Sequence, residues 1–329
     1  MPVCGKKQSI PKLTVNGNFC SWKLSMKKKA ALNSSIPTIL LTGGTGFLGS
    51  NLLRRLTALN YKLILLKRSF SNTWRISDFI DKVITYDIDR EESLEDIFRT
   101  YPIDMIIHCA TSYGRREVVP LTIIEANLIL PLKLLQLGLE HNVSCFINSD
   151  TLLDKRVSHY SLSKSHFKDW LKGYSSEMAC VNIALEHFYG PYDDDSKFVT
   201  YIIRHILENV ESLDLTPGEQ KRDFIYIDDV IDAFDKIIHY GLSVKRGFFN
   251  YDIGTNRPFK IREFVTLVKK ISKNNKTYLN FGALPYRPNE IMDSHVDTTA
   301  IKKLGWKPKV SLEDGLLKTI DLERRLERS

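Results

Sequence analysis

A turn between a strand and a helix, Thr42-Gly43-Gly44-Thr45-Gly46-Phe47-Leu48-Gly49, constrains this chain more than any other segment. The β-branched, apolar Thr38–Leu41 runs into it, and Phe47–Leu59 leaves it with leucines at helical spacing. Gly43, Gly46 and Gly49 fall where a strand that turns tightly into a helix needs them. One serves the turn, one lets backbone approach a pyrophosphate, and one lets the helix pack on the strand. A pyrophosphate placed there meets free N–H groups and the positive end of the helix dipole. Thr45, Phe47 and Leu48 are counted with the three glycines as cofactor-binding residues.

Beyond Leu59 the chain repeats the strand-and-helix alternation. Lys62–Leu66, Val83–Tyr86, Met105–His108, Ser144–Ile147 and Ala179–Ala184 read as buried strands, and Leu121–Glu140 and Ser161–Tyr174 as helices. Right-handed crossovers wind such units into an α/β fold with a doubly wound parallel sheet of Rossmann type. Past Tyr189 the units shorten and are punctuated by Gly190-Pro191, Pro217-Gly218, Arg257-Pro258, Arg287-Pro288 and Lys307-Pro308. The expected organisation is a leader over 1–36, a cofactor-binding domain over 37–189, and a smaller C-terminal α/β substrate-binding lobe over 190–329, parts of which return to the sheet.

The net charge of +8 invites a nucleic-acid or membrane-surface reading. Its location argues otherwise. Lys6, Lys7, Lys12, Lys23, Lys27, Lys28 and Lys29 lie in the first 37 residues, which hold no acidic residue; taking those seven from 47 leaves 40 basic residues against 39 acidic. A nearly neutral body is not a phosphate-backbone clamp, so no nucleic-acid partner is expected. No run of about 18 consecutive apolar residues exists, so no membrane span is expected. Five scattered cysteines, with no C-x-x-C pair, fit a reducing cytoplasm. The leader lacks an apolar signal-peptide core and lacks arginine, and reads as a disordered tail.

The end of the second strand selects the cofactor. A carboxylate there accepts the ribose hydroxyls of NAD, whereas arginine accommodates the 2′-phosphate of NADP. Here the strand runs into Lys67, Arg68 and Ser69. Arg68 is expected to make the bidentate phosphate contact, assisted by Lys67 or Ser69, which favours NADPH over NAD. Asp87 and Ile88, after the third strand, are placed to meet the adenine edge, and Ala110, after the fourth, borders the cofactor.

Tyr160-Ser161-Leu162-Ser163-Lys164 is the one Y-x-x-x-K among 14 tyrosines. On a helix the two ends share a face, and the ammonium beside the ring lowers the phenol pKa toward useful values. Isolated, the spacing means little. Its order along the chain, after a glycine turn and a strand ending in hydroxyl residues, gives it meaning.

With TGGTGFLG, HCAT (His108–Thr111), Asn127, INSDT (Ile147–Thr151), YSLSK, HFYGPYD (His187–Asp193), KRDFIYIDDV (Lys221–Val230), Arg287-Pro288 and LGWKP (Leu304–Pro308), the chain resembles an extended short-chain dehydrogenase/reductase of the NAD(P)-dependent nucleotide-sugar epimerase/dehydratase group, from about Pro37 to the C-terminus. The resemblance implies a set of Asn127, Ser149, Tyr160 and Lys164. Tyr160 gives a proton to a carbonyl oxygen, Lys164 also binds the nicotinamide ribose, and Ser149 holds the carbonyl oxygen. Thr151 is the competing hydroxyl, since INSDT offers two registers; Ser149 is favoured by its place at the strand terminus. Group members usually form a homodimer through paired helices, and Leu121–Leu139 is a candidate face, equally explained as core.

Two departures narrow the implied reaction. Nucleotide-sugar 4,6-dehydratases follow the catalytic hydroxyl with Asp-Glu, and here Asp150 is kept while Thr151 replaces the base. The expected preference for NADPH points to net reduction, because a reductase consumes its cofactor whereas epimerases and dehydratases recycle bound NAD. The stretches HCATSYGR, ALEHFYGPYDDDSKFVTYII, TPGEQKRDFIYIDDV and FGALPYRPNEIM most resemble the reductases that convert CDP-4-keto-3,6-dideoxyhexoses to CDP-abequose or CDP-paratose in polysaccharide precursor synthesis. The alternatives are a redox-neutral epimerase or dehydratase holding NAD, and a non-catalytic NADP-binding scaffold or sensor.

A nucleotide-diphosphate sugar needs cations for its pyrophosphate. Arg222 and Arg287 stand where the group binds diphosphate, with Lys197 weaker beside them, and Tyr113 and Phe188 border the sugar. The plainer reading of Arg222 is a salt bridge to Asp223 or Asp228. Asp193-Asp194-Asp195 reads as a solvated loop, since consecutive side chains diverge, and no metal is expected. Asp228 is taken as the N-cap of a helix over Asp229–Tyr240, and His159 as a loop residue beside Tyr160.

Overall fold

The computed structural model describes residues 36–90, 94–114 and 119–326, so the leader expected over 1–36 lies almost wholly outside the described residues. The elements that position the site are β1 (Thr38–Thr42), α1 (Phe47–Ala58), β2 (Lys62–Lys67), β3 (Ile84–Asp87), α2 (Leu94–Thr100), β4 (Met105–His108), α3 (Pro120–Glu140), β5 (Cys145–Thr151), α4 (His159–Gly173) and β6 (Ala179–Leu185). Beyond them come β7 (His187–Tyr189), α5 (Phe198–Leu207), β8 (Ser212–Leu215), β9 (Lys221–Arg222), β10 (Phe224–Tyr226), α6 (Ile227–Ser243) and β11 (Gly247–Ile253).

Seven strands form one sheet in the order β11-β6-β5-β4-β1-β2-β3, parallel at every pairing. A parallel sheet is covered on both faces, and its inner strands are accordingly buried end to end: β1, β4 and β6 throughout, and β5 up to Asp150. Alternate residues feed two cores. Ile39, Leu41, Ile107 and Ile147 join Leu52, Leu53 and Leu56 of α1 and Phe234 of α6. Leu40, Ile106 and Phe146 join Leu134 and Leu135 of α3 and Phe167 and Leu171 of α4. The chain order reverses between β1 and β4, and in such sheets ligands bind at the carboxyl ends flanking that reversal. The return of β11 beside β6 brings residues after Tyr189 back into the sheet, while three two-stranded pairs, β7 with β10, β8 with Tyr278–Phe281 and β9 with Phe259–Lys260, build the structure around Arg222.

Several local expectations are corrected. Helix α4 begins at His159, not Ser161, because Ser158 and Ser161 cap each other reciprocally: the Ser161 N–H reaches Ser158 Oγ at 3.1 Å and the Ser158 N–H reaches Ser161 Oγ at 3.2 Å. Tyr160 therefore lies in the first helical turn, one turn before Lys164. Asp228 is not an N-cap, since α6 starts at Ile227 after Tyr226 with no side-chain cap. Asp229, 2% exposed, instead accepts the N–H groups of Lys309 and Val310, while Trp306 donates to its carbonyl at 3.0 Å. The LGWKP motif is thus pinned to the first turn of α6. Asp193 is buried, contrary to the solvated-loop reading, and that burial raises its carboxyl to about 6. Helix α3, at 21 residues, is by length and composition alone long and apolar enough to cross a membrane, a test that the core helix of a folded domain also passes. It buries Ile123, Pro131, Leu134, Leu135 and Gly138 against the sheet layer and leaves Leu121, Ile124 and Ile129 exposed. Cys109, Cys145 and Cys180 are free thiols.

The glycine turn carries the tightest steric demand. A Cβ on Gly49 would stand 2.1 Å from the Gly43 carbonyl oxygen, backbone that cannot yield. Gly49→Ala is expected to lose about 3 kcal/mol in urea unfolding, whereas Gly173→Ala, whose Cβ meets nothing within 4 Å, is expected to be neutral or stabilising by up to about 1 kcal/mol.

Candidate active site

The candidate phosphate cradle is built from backbone. Gly43 has φ +73°, and a Cβ there would lie 2.4 Å from the Ala110 nitrogen, so the turn after β1 lies directly against the turn after β4. The Gly46 N–H closes the turn on the Gly43 carbonyl at 3.0 Å. Gly46 then caps α1 with no side-chain bond, and the first turn contains no acidic residue. Its amides have no intrahelical acceptor, which is the arrangement a pyrophosphate satisfies. Arg75, which sequence reading did not single out, hangs beside this turn: its Nε donates to the Tyr192 carbonyl at 2.9 Å and its Nη1 lies 3.5 Å from the Thr45 carbonyl. Nothing in the sequence spaces Arg75 from the glycines, so only the fold reveals it.

At the adenosine end the three expected residues divide. Lys67 is ion-paired to Asp87, which also faces Arg90 at 3.5 Å. Ser69 donates through its N–H and its hydroxyl to Asp89, at 2.7 and 2.8 Å. Arg68 is exposed, its guanidinium 4.6 Å from the Phe70 ring centroid. Ile88 donates its N–H to the Lys67 carbonyl at 2.9 Å, tying the ends of β2 and β3 together.

The catalytic candidates gather at the carboxyl ends of β4 and β5. Lys164 is 1% exposed and its Nζ donates to the Ser149 carbonyl at 2.8 Å. Burial lowers its pKa, with the negative charge of Asp150 acting against that. The Ser149 hydroxyl donates to the His108 carbonyl at 3.0 Å, fixing it beside β4. Thr151 Oγ1 accepts the Leu153 N–H at 3.2 Å, so it serves the loop after β5. Asp150 is 7% exposed and turned into the sheet, accepting from Asn182 at 2.9 Å and from the Thr151 N–H at 2.7 Å. The Tyr160 ring lies 4.8 Å from that of Tyr113, tilted by 42°, and both line an open cleft of about 580 Å³; Lys197 Nζ sits 3.7 Å from the Tyr113 centroid. That cleft is further lined by Ile123, Ser158, His159 and Leu162.

Asn127 is fully buried in a π-turn of α3, Glu125–Ile129. Its Oδ1 accepts from the Thr111 hydroxyl and the Ser112 N–H at 3.0 and 2.8 Å, and its Nδ2 donates to the Ser112 carbonyl and Ser163 Oγ, both at 2.9 Å. One amide thus ties the loop after β4 to the helix that carries Tyr160 and Lys164. π-turns of this kind recur at functional sites.

On the substrate side Arg222 is 12% exposed, ion-paired to Glu290 and donating to the Lys221 and Ile291 carbonyls at 2.6 Å each. Its partner is therefore neither Asp223, which caps the turn at Thr255 and Asn256, nor Asp228. Arg287 is exposed at the head of the same segment. Phe188 stacks on Phe47 with 5.9 Å between centroids and so belongs to packing behind the cradle. Sequence reading also passed over Glu186, which bonds His187 Nδ1 at 2.7 Å and accepts from Ser294.

Residues 39–254 match the NAD dependent epimerase/dehydratase family. The chain is 33% identical to a CDP-abequose synthase of Salmonella muenchen over 296 residues, covering 87% of this chain and 97% of that one. Among solved structures it is similar to the UDP-glucose 4-epimerase of Thermotoga maritima with UDP-glucose, at TM-score 0.74 and 26% identity over 88% of this chain and 99% of that one. It shares its fold with the Thermus thermophilus UDP-glucose 4-epimerase in complex with NAD, at TM-score 0.73 and 22% identity over 87% and 99% of the two chains.

Because Asn127 bonds four polar groups at once, Asn127→Leu takes the partner from the Thr111 hydroxyl and from the Ser112 N–H and carbonyl, all part-buried, and leaves Ser163 Oγ only its bond to the Tyr160 carbonyl. The variant is expected to lose about 3 kcal/mol in urea unfolding; stability within about 0.5 kcal/mol of wild type would contradict the tie described.

Proposed function

This chain belongs to the NAD dependent epimerase/dehydratase family, whose members are NAD(P)-dependent enzymes, and on that premise we propose that it uses NADPH to reduce the C4 keto group of a nucleotide-diphosphate 4-keto-3,6-dideoxyhexose, with CDP as the nucleotide. The observation that carries the reading is the state of the Asp150-Thr151 pair. An elimination across C5 and C6 needs an acid and a base facing the sugar. Here the acid is turned into the sheet onto Asn182 and the base position holds Thr151, while the Tyr160/Lys164 pair is intact. Similarity to CDP-abequose synthases supports the same substrate class.

Bound NADPH supplies the hydride. The chain's residues do the rest. Gly43, Gly46 and the uncapped turn of α1 hold the pyrophosphate, and Arg68 takes the 2′-phosphate. Ser149 turns its hydroxyl from the His108 carbonyl to the substrate carbonyl, and Tyr160 donates its phenolic proton to that oxygen. Lys164, positively charged one turn along, lowers the cost of the phenolate left behind. Arg222 and Arg287 take the nucleotide diphosphate, which requires Arg222 to exchange Glu290 for phosphate oxygens. Tyr113 and Lys197 border the sugar. The cofactor-binding part over 37–189 and the substrate lobe over 190–329 meet this division of labour, and the exposed apolar residues of α3 pair with a second copy in a homodimer.

One observation favours a second reading, in which tightly held NAD is recycled in an epimerisation: Asp87 and Asp89 place carboxylates at the end of β2, bonded to Lys67 and Ser69. The two readings separate cleanly. With the CDP-linked keto sugar, NADPH should be consumed in proportion to product; cofactor that co-purifies and is not consumed would reject the reductase. Tyr160→Phe should lower kcat by about 10³-fold. Arg68→Ala should raise KM for NADPH about tenfold and leave that for NADH unchanged; equal KM values for the two cofactors in wild type would contradict the 2′-phosphate assignment.

A further inference from the structure

Behind the catalytic lysine the sheet carries a row of polar side chains that proton donation by Tyr160 does not explain. Thr42, His108, Asn148, Asn182 and Asn250 are successive register partners across β1, β4, β5, β6 and β11. They lie on the face that α4 covers, with His108 6.1 Å from the Phe167 ring. His108, Asn148 and Asn182 are completely buried. Polar groups in such a place cost several kcal/mol each unless bonded, so their bonding pattern is informative.

The polarity of the row is fixed from its acidic end. A carboxylate only accepts, so the Asn182 nitrogen faces Asp150, at 2.9 Å. The Asn182 oxygen is then turned to accept from Asn148 Nδ2 at 2.8 Å, and its nitrogen also donates to Asn250 Oδ1 at 3.0 Å. Asn250 donates onward to Asp252 at 2.9 Å. This leaves Asn148 Oδ1 as an acceptor toward His108, and both Asn148 Oδ1 and His108 Nε2 are buried without a protein partner. On the other side, His108 Nδ1 lies 2.9 Å from the Thr42 hydroxyl, which accepts the Ala110 N–H at 3.2 Å. With the Thr42 proton given to Nδ1, the ring proton of a neutral imidazole stands on Nε2. A donor and an acceptor, both orphaned, then belong to register partners in adjacent strands.

We propose that His108 is a positioning residue for the catalytic lysine: its Nε2–H, through one buried water received by Asn148 Oδ1, completes a row of hydrogen bonds directed from the pyrophosphate turn to Asp150, and so fixes the Asp150 carboxylate beside Lys164. A buried water takes two or more polar partners, and these two atoms, on register partners of adjacent strands, supply one donor and one acceptor. The row begins at the Ala110 N–H, the atom against which Gly43 packs. The groups that face Lys164 are Asp150 and the Ser149 carbonyl on β5, and His108 and Cys109 at the end of β4; Tyr160 precedes it by one turn on its own helix. Asp150 in turn faces Asp252 of β11, itself near Lys168 and Asp297. Burial holds His108 well below its ordinary value, with the Lys164 charge adding to that, which keeps the ring neutral as the row requires.

The kinetic consequence rests on the reductase reading, but the hydrogen-bond state of His108 does not, so two measurements separate the two ideas. Imidazole nitrogen NMR on the full chain, with the His108 signal identified by its loss in His108→Gln, should show a neutral Nε2–H tautomer from about pH 5 to about pH 9. An Nδ1–H tautomer, or a ring that titrates in that range, would overturn the proposal without any turnover. In steady-state kinetics, loosening Asp150 withdraws support from the Lys164 charge, so Lys164 loses its proton at lower pH. His108→Leu should therefore move the alkaline limb of kcat down by about half a pH unit or more, with KM within about twofold of wild type. His108→Gln, whose side-chain N–H stands near the former Nε2–H, should return the limb toward wild type. A His108→Leu enzyme that is less stable but has a superimposable pH profile would reduce the row to packing.

Discussion

Burial of the Lys164 ammonium is the constraint on which the site depends. A charge removed from water must be compensated locally or it is lost. The compensation is sparse: the Ser149 carbonyl at 2.8 Å, and the negative charge of Asp150. Both belong to β5, so the position of the cation is set by the sheet and not by a surface loop. Helix α4 delivers the lysine from its second turn only because the Ser158/Ser161 box starts the helix at His159. The Asn127 amide fastens that helix to the loop after β4, and Gly43 fastens the same loop to the pyrophosphate turn. Cofactor turn, hydroxyl, phenol and ammonium are thereby referred to one rigid sheet edge, which is what positional catalysis requires.

Much of this was legible from the residues. The TILLT strand, the glycines and the Y-x-x-x-K spacing are local patterns whose physics is local: buried β-branched runs, a positive φ at Gly43, an i to i+4 face. Those elements lie within a residue or two of where periodicity puts them. Errors arose where a long-range partner decides. Asp228 has the chemistry of an N-cap, yet the helix begins at Ile227, two residues before the expected Asp229, directly after Tyr226, the last residue of a strand paired with β7. Asp193 looks like part of an acidic loop, and only tertiary packing buries it. Helix α3 is a different case: its charges and proline break any unbroken hydrophobic run, and one of its faces packs on the sheet.

The substrate side was the least legible. Arg222 can be assigned to a phosphate from its motif, but nothing in the sequence shows that Glu290 already holds it or that Ser294 of the same segment reaches Glu186. A segment running from Arg287 to Ser294 therefore carries both a candidate phosphate ligand and the carboxylate that competes for the other. Likewise, Asp150 keeps the residue type of a dehydratase acid while its carboxyl faces Asn182. Residue identity alone does not show that this carboxyl is turned into the sheet.

Net transfer of a hydride to the sugar is the central claim, and isotope tracing tests it most directly. The enzyme would be supplied with NADPH carrying deuterium at nicotinamide C4, in separate incubations for each face, and with the CDP-linked 4-keto-3,6-dideoxyhexose. One of the two labelled cofactors is expected to deliver its deuterium to C4 of the product sugar, in proportion to the cofactor oxidised. A product that carries no deuterium from either labelled cofactor, formed without net cofactor oxidation, would contradict hydride transfer to the sugar.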